Sequence, residues 1–218
     1  MPSSPTTNPG VAADPVAAKL SSIDGIQRVP TPRLHLFLLR HFLDAPSCAG
    51  FCELIDQNRR PSTLADDQGI PDFRTSETCD LDPVHPLVAA LKSRLSELTG
   101  IGQSQGEPLQ GQHYAPGQEF KPHTDSFNPG SADYFLHCAE AGQRSWTAMI
   151  YLNEPEDGGA TRFKAIGKTI QPETGKLLLW NNLLPDGSPN PATLHQGMKV
   201  RRGTKYILTQ WYRERPFR

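Results

Sequence analysis

No apolar run in this chain approaches the ~18 residues that a membrane-spanning helix needs. Neither sign of charge dominates it: 22 lysines and arginines stand against 23 aspartates and glutamates among 218 residues. So even a balance gives no global field toward nucleic acid or an anionic membrane, and any recognition must be local. Cysteine is scarce as well. Cys48, Cys52, Cys79 and Cys138 lack the paired C-x-x-C spacing of a zinc site, and no secretory signal precedes them. These absences lead us to expect a soluble, cytoplasmic protein with reduced thiols and neither a nucleic-acid nor a membrane partner.

What is present divides the chain by texture. Met1 to about Asn8 is rich in Ser, Thr and Pro and holds no aromatic residue, so it has little to bury against the cost of ordering. Residues 1–30 are therefore expected to form a mobile N-terminal segment, with a short helix between Val11 and Ser22 where Val16, Ala17 and Leu20 recur at helical spacing. Residues 31–218 form one domain, with helical support over 44–100 and a β core over 105–215. RLHLFLLRHF, at 33–42, reads as a strand that leads to N-cap candidates at Asp44 and Ser47. A helix to Asn58 places Phe51, Leu54 and Ile55 on one face. A second, from His85 to Leu98, places Leu87, Val88, Leu91, Leu95 and Leu98 at three- and four-residue steps and ends before Gly100. The polar interval 59–82 between them has the length of a lid or binding loop.

Beyond Gly100 come short apolar or alternating runs punctuated by Gly, Pro and Asn. Strands are expected at 108–114, 119–123, 145–152, 160–163, 168–171, 176–180, 193–199 and 205–212. Roughly eight such strands make a double-sheet barrel or jelly roll. The fold class is mostly β with flanking helices.

The candidate chemistry sits in these strands. His123 and Asp125, in KPHTDS, lie two apart, so on a strand both point to one face and could bind one ion. A lone His-x-Asp arises easily by chance. His195, in ATLHQG, would complete a two-histidine, one-carboxylate set that leaves part of a metal's coordination sphere open, as non-haem iron(II) oxygenases require; the same donors also suit zinc. Lys205 shares a strand face with Ile207, Thr209 and Trp211. On a barrel interior its ammonium needs a carboxylate partner, and at an edge it would simply face water. Tyr114 and Tyr151 stand on other strands, where phenolic hydroxyls beside an ammonium could clamp a dicarboxylate or could serve as ordinary core tyrosines.

Five segments taken in order, HYAPGQEFKPHTD, QRSWTAMIYLN, GGATRF, PETGKLLLWNN and PNPATLHQGMKVRRGTKYILTQW, resemble the prolyl 4-hydroxylase-like branch of the 2-oxoglutarate/Fe(II) dioxygenases. The resemblance runs from about Arg33 to Trp211. It implies a double-stranded β-helix (jelly-roll) core and an enzyme that hydroxylates a C–H bond with release of succinate and CO2. Fe(II) would be the metal, 2-oxoglutarate and O2 the co-substrates and ascorbate the reductant. By position His123, Asp125 and His195 match the iron ligands, and Lys205 matches the residue that pairs with the distal carboxylate of 2-oxoglutarate. Tyr114, Tyr151 and Thr161 match positions that assist co-substrate binding. Arg144, Trp211 and Arg74 fall on the substrate side, the last in an RTS run similar to a groove motif of the prolyl hydroxylases.

The chain departs from the family pattern at Phe120, where several members carry tyrosine, at Tyr206, where tryptophan is common, and over Gln196–Val200. These departures bear on the substrate. The expected substrate is a peptidyl or protein residue such as proline, the alternative a free amino acid or other small molecule. A non-enzymatic jelly-roll binding module and a zinc hydrolase are the competing classes; the first predicts missing ligands, and the second gives no reason for Lys205.

Overall fold

The computed structural model describes residues 14–62 and 72–217. Its helices are α1 (Pro15–Ser21), α2 (Ala45–Asn58), α3 (Pro86–Thr99) and α4 (Ala132–Cys138). The strands before the first metal-candidate histidine are β1 (Gln27–Arg28), β2 (Leu36–Leu39), β3 (Arg60–Pro61), β4 (Glu77–Asp80) and β5 (Gln110–Tyr114). They are followed by β6 (Phe120–His123), β7 (Arg144–Tyr151), β8 (Asp157–Gly158), β9 (Thr161–Phe163) and β10 (Lys168–Ile170). The last four are β11 (Leu177–Asn181), β12 (His195–Gly197), β13 (Val200–Arg202) and β14 (Lys205–Arg213).

Antiparallel pairing arranges them in a major sheet of order β1-β2-β11-β7-β14-β5-β4-β3 and a minor sheet of order β10-β9-β12-β6, with β13 and β8 forming a separate pair. This is the jelly roll expected from the strand pattern. Period-two alternation divides the side chains of the major sheet between two cores. On β7, Trp146, Ala148 and Ile150 join Phe51, Ile55, Leu91, Leu95 and Leu208 in the core beneath the helices. Met149 and Tyr151 face the other way and pack with Phe163, Trp180 and Ile207 between the sheets.

Local chemistry explains the helix ends. The Asp44 carboxylate accepts from the Ser47 amide at the start of α2, and Gly100, in the left-handed conformation at φ 79°, closes α3. Gly111 on β5 lies so close to Ile55 of α2 that an added Cβ would overlap that side chain, so glycine lets the helix settle onto the sheet.

Some expectations need correcting. The boundary at residue 30 is not a structural one over the described residues. Asp14 caps α1, whose Ala17 and Leu20 are buried in the helix-side core, and Gln27–Arg28 pairs with β2. Residues 1–13, including the start of the expected helix, lie outside the described residues. The interval 59–82 is not all loop: β4 carries a full register with β5, and Thr78 and Cys79 are buried. Residues 63–71 lie outside the described residues. The strand expected over 193–199 shortens to three residues, because Asn190 caps a 3-10 turn at Pro191–Thr193 through the Ala192 amide. α4 went unanticipated; its Phe135 and Leu136 are exposed, so it has no amphipathic signature.

Candidate metal centre and co-substrate cleft

His123 ends β6 and His195 begins β12, and the two are direct cross-strand partners in the minor sheet. Asp125 follows two residues beyond His123. Its Oδ1 lies 3.7 Å from His123 Nε2 and 4.0 Å from His195 Nε2. The three ligand atoms lie within 4.8 Å of one another, and no other group of three or more such residues forms among the described residues. The ring orientations suit a metal. His123 Nδ1 lies 2.8 Å from the Lys121 carbonyl and His195 Nδ1 2.9 Å from the Thr193 carbonyl, so each Nδ1–H donates outward and each Nε2 lone pair faces the shared centre. Phe120 stacks on His123 at 3.6 Å between centroids, while Phe163 and Trp180 pack on His195. Burial, with His195 as a second cause, pushes the His123 pKa down to about 3, which keeps its imidazole neutral and available as a ligand.

A narrow cleft runs inward from this centre, lined by Tyr114, Met149, Thr161, Trp180, Gly197, Ile207 and Thr209, with Lys205 also in its wall. Lys205 is 1% exposed and forms no ion pair among the described residues. Its ammonium lies 5.1 Å from the centroid of the Tyr114 ring and 5.4 Å from that of Tyr151. Burial alone pushes its pKa down to about 7. An ammonium so placed is incomplete without an anion.

The two tyrosines differ in use. The Tyr114 hydroxyl, on the cleft wall, donates to Gln112 Oε1 at 2.9 Å. Tyr151 does not line the cleft; its hydroxyl donates to Thr161 Oγ1 at 2.6 Å and lies 3.2 Å from the Ile170 carbonyl, so it braces Thr161 from behind.

On the other side of the metal candidates opens a cavity of about 520 Å³ lined by Phe73, Arg74, Phe120, Phe127, Arg144 and Trp211, among others. Arg74 is held by neutral acceptors, Ser76 Oγ and Thr78 Oγ1 at 2.9 Å and Gln110 Oε1 at 3.1 Å. Arg144 grips Glu107 through two hydrogen bonds of 2.6 and 2.7 Å and lies over the Trp211 ring at 4.0 Å. Burial alone would lower the Arg144 pKa, but Glu107, together with Asp125 and Cys138, outweighs it and the net shift is upward. Arg213 Nε approaches the same Glu107 oxygen at 2.7 Å, off the line of a hydrogen bond, so that contact is ionic.

The fold therefore brings all ten sequence candidates to one region, with Tyr151 behind its wall. Three further residues belong to it. Glu107, Thr147 and Asn182 are buried beside the site. Only Thr147 left a trace in the sequence, as a polar residue on the same β7 face as Met149 and Tyr151.

A comparison with known proteins agrees with this geometry. The family profile of the 2OG-Fe(II) oxygenase superfamily matches residues 109–213. The chain belongs to the prolyl 4-hydroxylase-like family within that superfamily. It is 31% identical over 202 residues to prolyl 4-hydroxylase 5 of Arabidopsis thaliana, covering 82% of this chain and 68% of that protein. It is 32% identical over 130 residues to prolyl 4-hydroxylase subunit alpha-1 of Gallus gallus, where the match covers 60% of this chain but only 25% of the larger subunit. Among solved structures, the viral collagen prolyl hydroxylase of Paramecium Bursaria Chlorella virus-1 superposes with a TM-score of 0.65 at 26% identity, covering 82% of this chain and 95% of that one. A Trichoplax adhaerens prolyl hydroxylase, at 16% identity and a TM-score of 0.63, shares the fold.

Proposed function

We propose that the protein is a 2-oxoglutarate-dependent iron(II) dioxygenase that hydroxylates a peptidyl residue, proline foremost, with release of succinate and CO2. His123, Asp125 and His195 would hold the iron, and Lys205 would pair with the distal carboxylate of 2-oxoglutarate. The observation that carries this reading is the Lys205 ammonium, fully buried and ion-paired to no carboxylate among the described residues, in the wall of the cleft that also reaches His123, Asp125 and His195. A dicarboxylate that reached the metal at one end would neutralise that charge at the other. When bound, the iron would supply O2 activation coupled to oxidative decarboxylation of the 2-oxo acid.

The chain's own groups do the rest. Neutral His123 and ionised Asp125 offer donors without first losing a proton. Trp180, Met149 and Ile207 exclude water from the co-substrate, and the aromatic side chains Phe73, Phe120, Phe127 and Trp211 give the outer cavity an apolar lining suited to a proline ring. Ascorbate is the reductant we propose for iron oxidised in unproductive turnover. Prolyl hydroxylases among the relatives and structural neighbours support the peptidyl substrate.

The test is succinate formation by anaerobically purified protein given Fe(II), 2-oxoglutarate, ascorbate and O2, with and without a proline-rich peptide. We expect slow iron-dependent turnover, stimulation by the peptide, and loss of both in His195→Ala. If no succinate forms and 2-oxoglutarate does not bind the Fe(II) protein, the proposal is wrong.

Lys205 also sets a pH dependence. Below about pH 7 the free protein already carries the ammonium, so 2-oxoglutarate binds without a proton cost. Above pH 7 the lysine is neutral in the free protein and must take up a proton on binding. Affinity should therefore be flat at lower pH and fall by up to about tenfold per unit as pH rises above 7. Calorimetry in buffers of different ionisation enthalpy would read the proton uptake, and an affinity unchanged from pH 7 to 9 would contradict the assignment of Lys205.

A further inference from the structure

Asp125 is held from behind. Its Oδ2 accepts a 2.7 Å hydrogen bond from Thr147 Oγ1, and Thr147 Oγ1 accepts one of 2.8 Å from Asn182 Nδ2. Thr147 and Asn182 are both 0% exposed. Thr147 lies mid-strand on β7, opposite Trp180 of β11 and Trp211 of β14, and Asn182 immediately follows β11. The relay thus ties the Asp125 loop, which leaves the minor sheet after His123, to the middle of the major sheet.

Its polarity is determined by which groups can donate. On the metal-site reading Asp125 serves as a carboxylate ligand, and its Oδ2 lies 2.7 Å from Thr147 Oγ1. A carboxylate only accepts, so the single Thr147 proton must point to it. Thr147 can then only accept from Asn182, which must present its NH2. That orientation leaves the other end of the amide, Asn182 Oδ1, buried with no hydrogen-bond partner among the described residues. Turning the amide would place two acceptors face to face across Thr147 and Asp125.

We infer that Thr147 and Asn182 are positioning residues for the metal. They immobilise Oδ2 of Asp125 so that Oδ1 alone faces His123 and His195, keeping the carboxylate a one-oxygen ligand. The inference rests on the reading of His123, Asp125 and His195 as a metal site. Neither Thr147 nor Asn182 lines the outer cavity or the cleft around Lys205, so their effect reaches the metal through Asp125 and not the other ligands.

The test is Mn(II) affinity of the full chain, with the visible absorption of the Co(II) form as a second readout. T147V, which keeps the shape and removes the hydroxyl, should weaken Mn(II) binding by roughly 10- to 100-fold and alter the Co(II) spectrum. T147S should restore most of the affinity and the native spectrum. N182A should weaken binding in the native background yet add nothing in the T147V background, because it acts only through Thr147. A folded T147V with native Mn(II) affinity and Co(II) spectrum overturns the inference, as does an N182A effect that simply adds to that of T147V. Should T147V not fold, N182A in the native background decides: weakened Mn(II) binding supports the relay, and native affinity overturns it. His195→Ala separates the two readings. If it too leaves Mn(II) binding unchanged, the metal site itself is misassigned; if it abolishes binding while T147V is silent, only the relay fails.

Discussion

Lys205→Met should raise the melting temperature of the ligand-free protein while removing its affinity for 2-oxoglutarate. Few substitutions combine those signs, and the reason lies in an ammonium with no ion-pair partner among the described residues. Burial lowers the Lys205 pKa from 10.5 to about 7 in the folded chain. The unfolded chain therefore holds a proton that the folded one resists, a penalty on the order of a few kcal/mol. That penalty is complete below about pH 7 and vanishes as pH rises toward 10.5, so the gain from methionine should follow the same course. At neutral pH we expect an increase of about 5–10 °C, given roughly 2–4 °C per kcal/mol for a chain of this size. Loss of the charged partner should weaken 2-oxoglutarate binding by about 2–5 kcal/mol, or at least 30-fold, with Mn(II) binding intact. Thermal unfolding with ligand and metal titrations would check all three. A lower melting temperature would mean that the lysine already has its anion within the protein, and unchanged co-substrate affinity would place the distal carboxylate elsewhere.

Glu107→Ala should have the largest effect in the opposite direction. One buried carboxylate meets two buried guanidinium groups, those of Arg144 and Arg213, and Arg213 also donates to the Gly142 carbonyl at 2.8 Å. Removing the shared anion leaves two cations facing each other in a low-dielectric setting, which costs about 3–5 kcal/mol and lowers the melting temperature by roughly 10 °C. Glu107→Gln, which keeps an acceptor but not the charge, should fall between. Circular dichroism melts suffice, and a native melting temperature for the alanine variant would show that the arginines find other partners. The same cluster bears on the substrate side, because Arg144 lines the outer cavity only in the orientation that Glu107 imposes. Its role there is to present a fixed edge beneath Trp211 and Phe127, with a contact of 3.4 Å to the Asp125 carbonyl.

Much of this architecture could be read from residue order because the signals are periodic. The apolar steps in α2 and α3 predict both helices to within a few residues, and Asp44 and Gly100 predict two of their ends. Alternation along β7 and β14 correctly separates the face that carries Met149, Tyr151, Lys205 and Thr209 from the face beneath the helices. Two-residue spacing makes His123 and Asp125 a candidate pair, and the surrounding segments join His195 and Lys205 to them. Periodicity fails where an element is short or draws its stability from a distant neighbour. β4 is such a case, since four residues of mixed polarity become a strand only by pairing with β5. α1 is the converse: the helical spacing of Val16, Ala17 and Leu20 marks the helix, while the placing of Ala17 and Leu20 in the helix-side core is decided by packing.

What the sequence determines by itself, then, is the set of local preferences: which segments are strands or helices, which face of each is apolar, and which side chains have the chemistry of metal ligands or of a buried cation. The tertiary structure decides how those side chains are partnered. Lys205 and Glu107 are both charged residues in a β-rich half, yet among the described residues one has no counter-ion while the other serves two arginines. Thr147 and Asn182 are 35 residues apart, and their hydrogen bond arises only when the chain places them together behind Asp125. Electrostatics and hydrogen bonding act over a few ångströms whatever the separation along the chain, so these partnerships depend on sheet order and register, which no local pattern specifies.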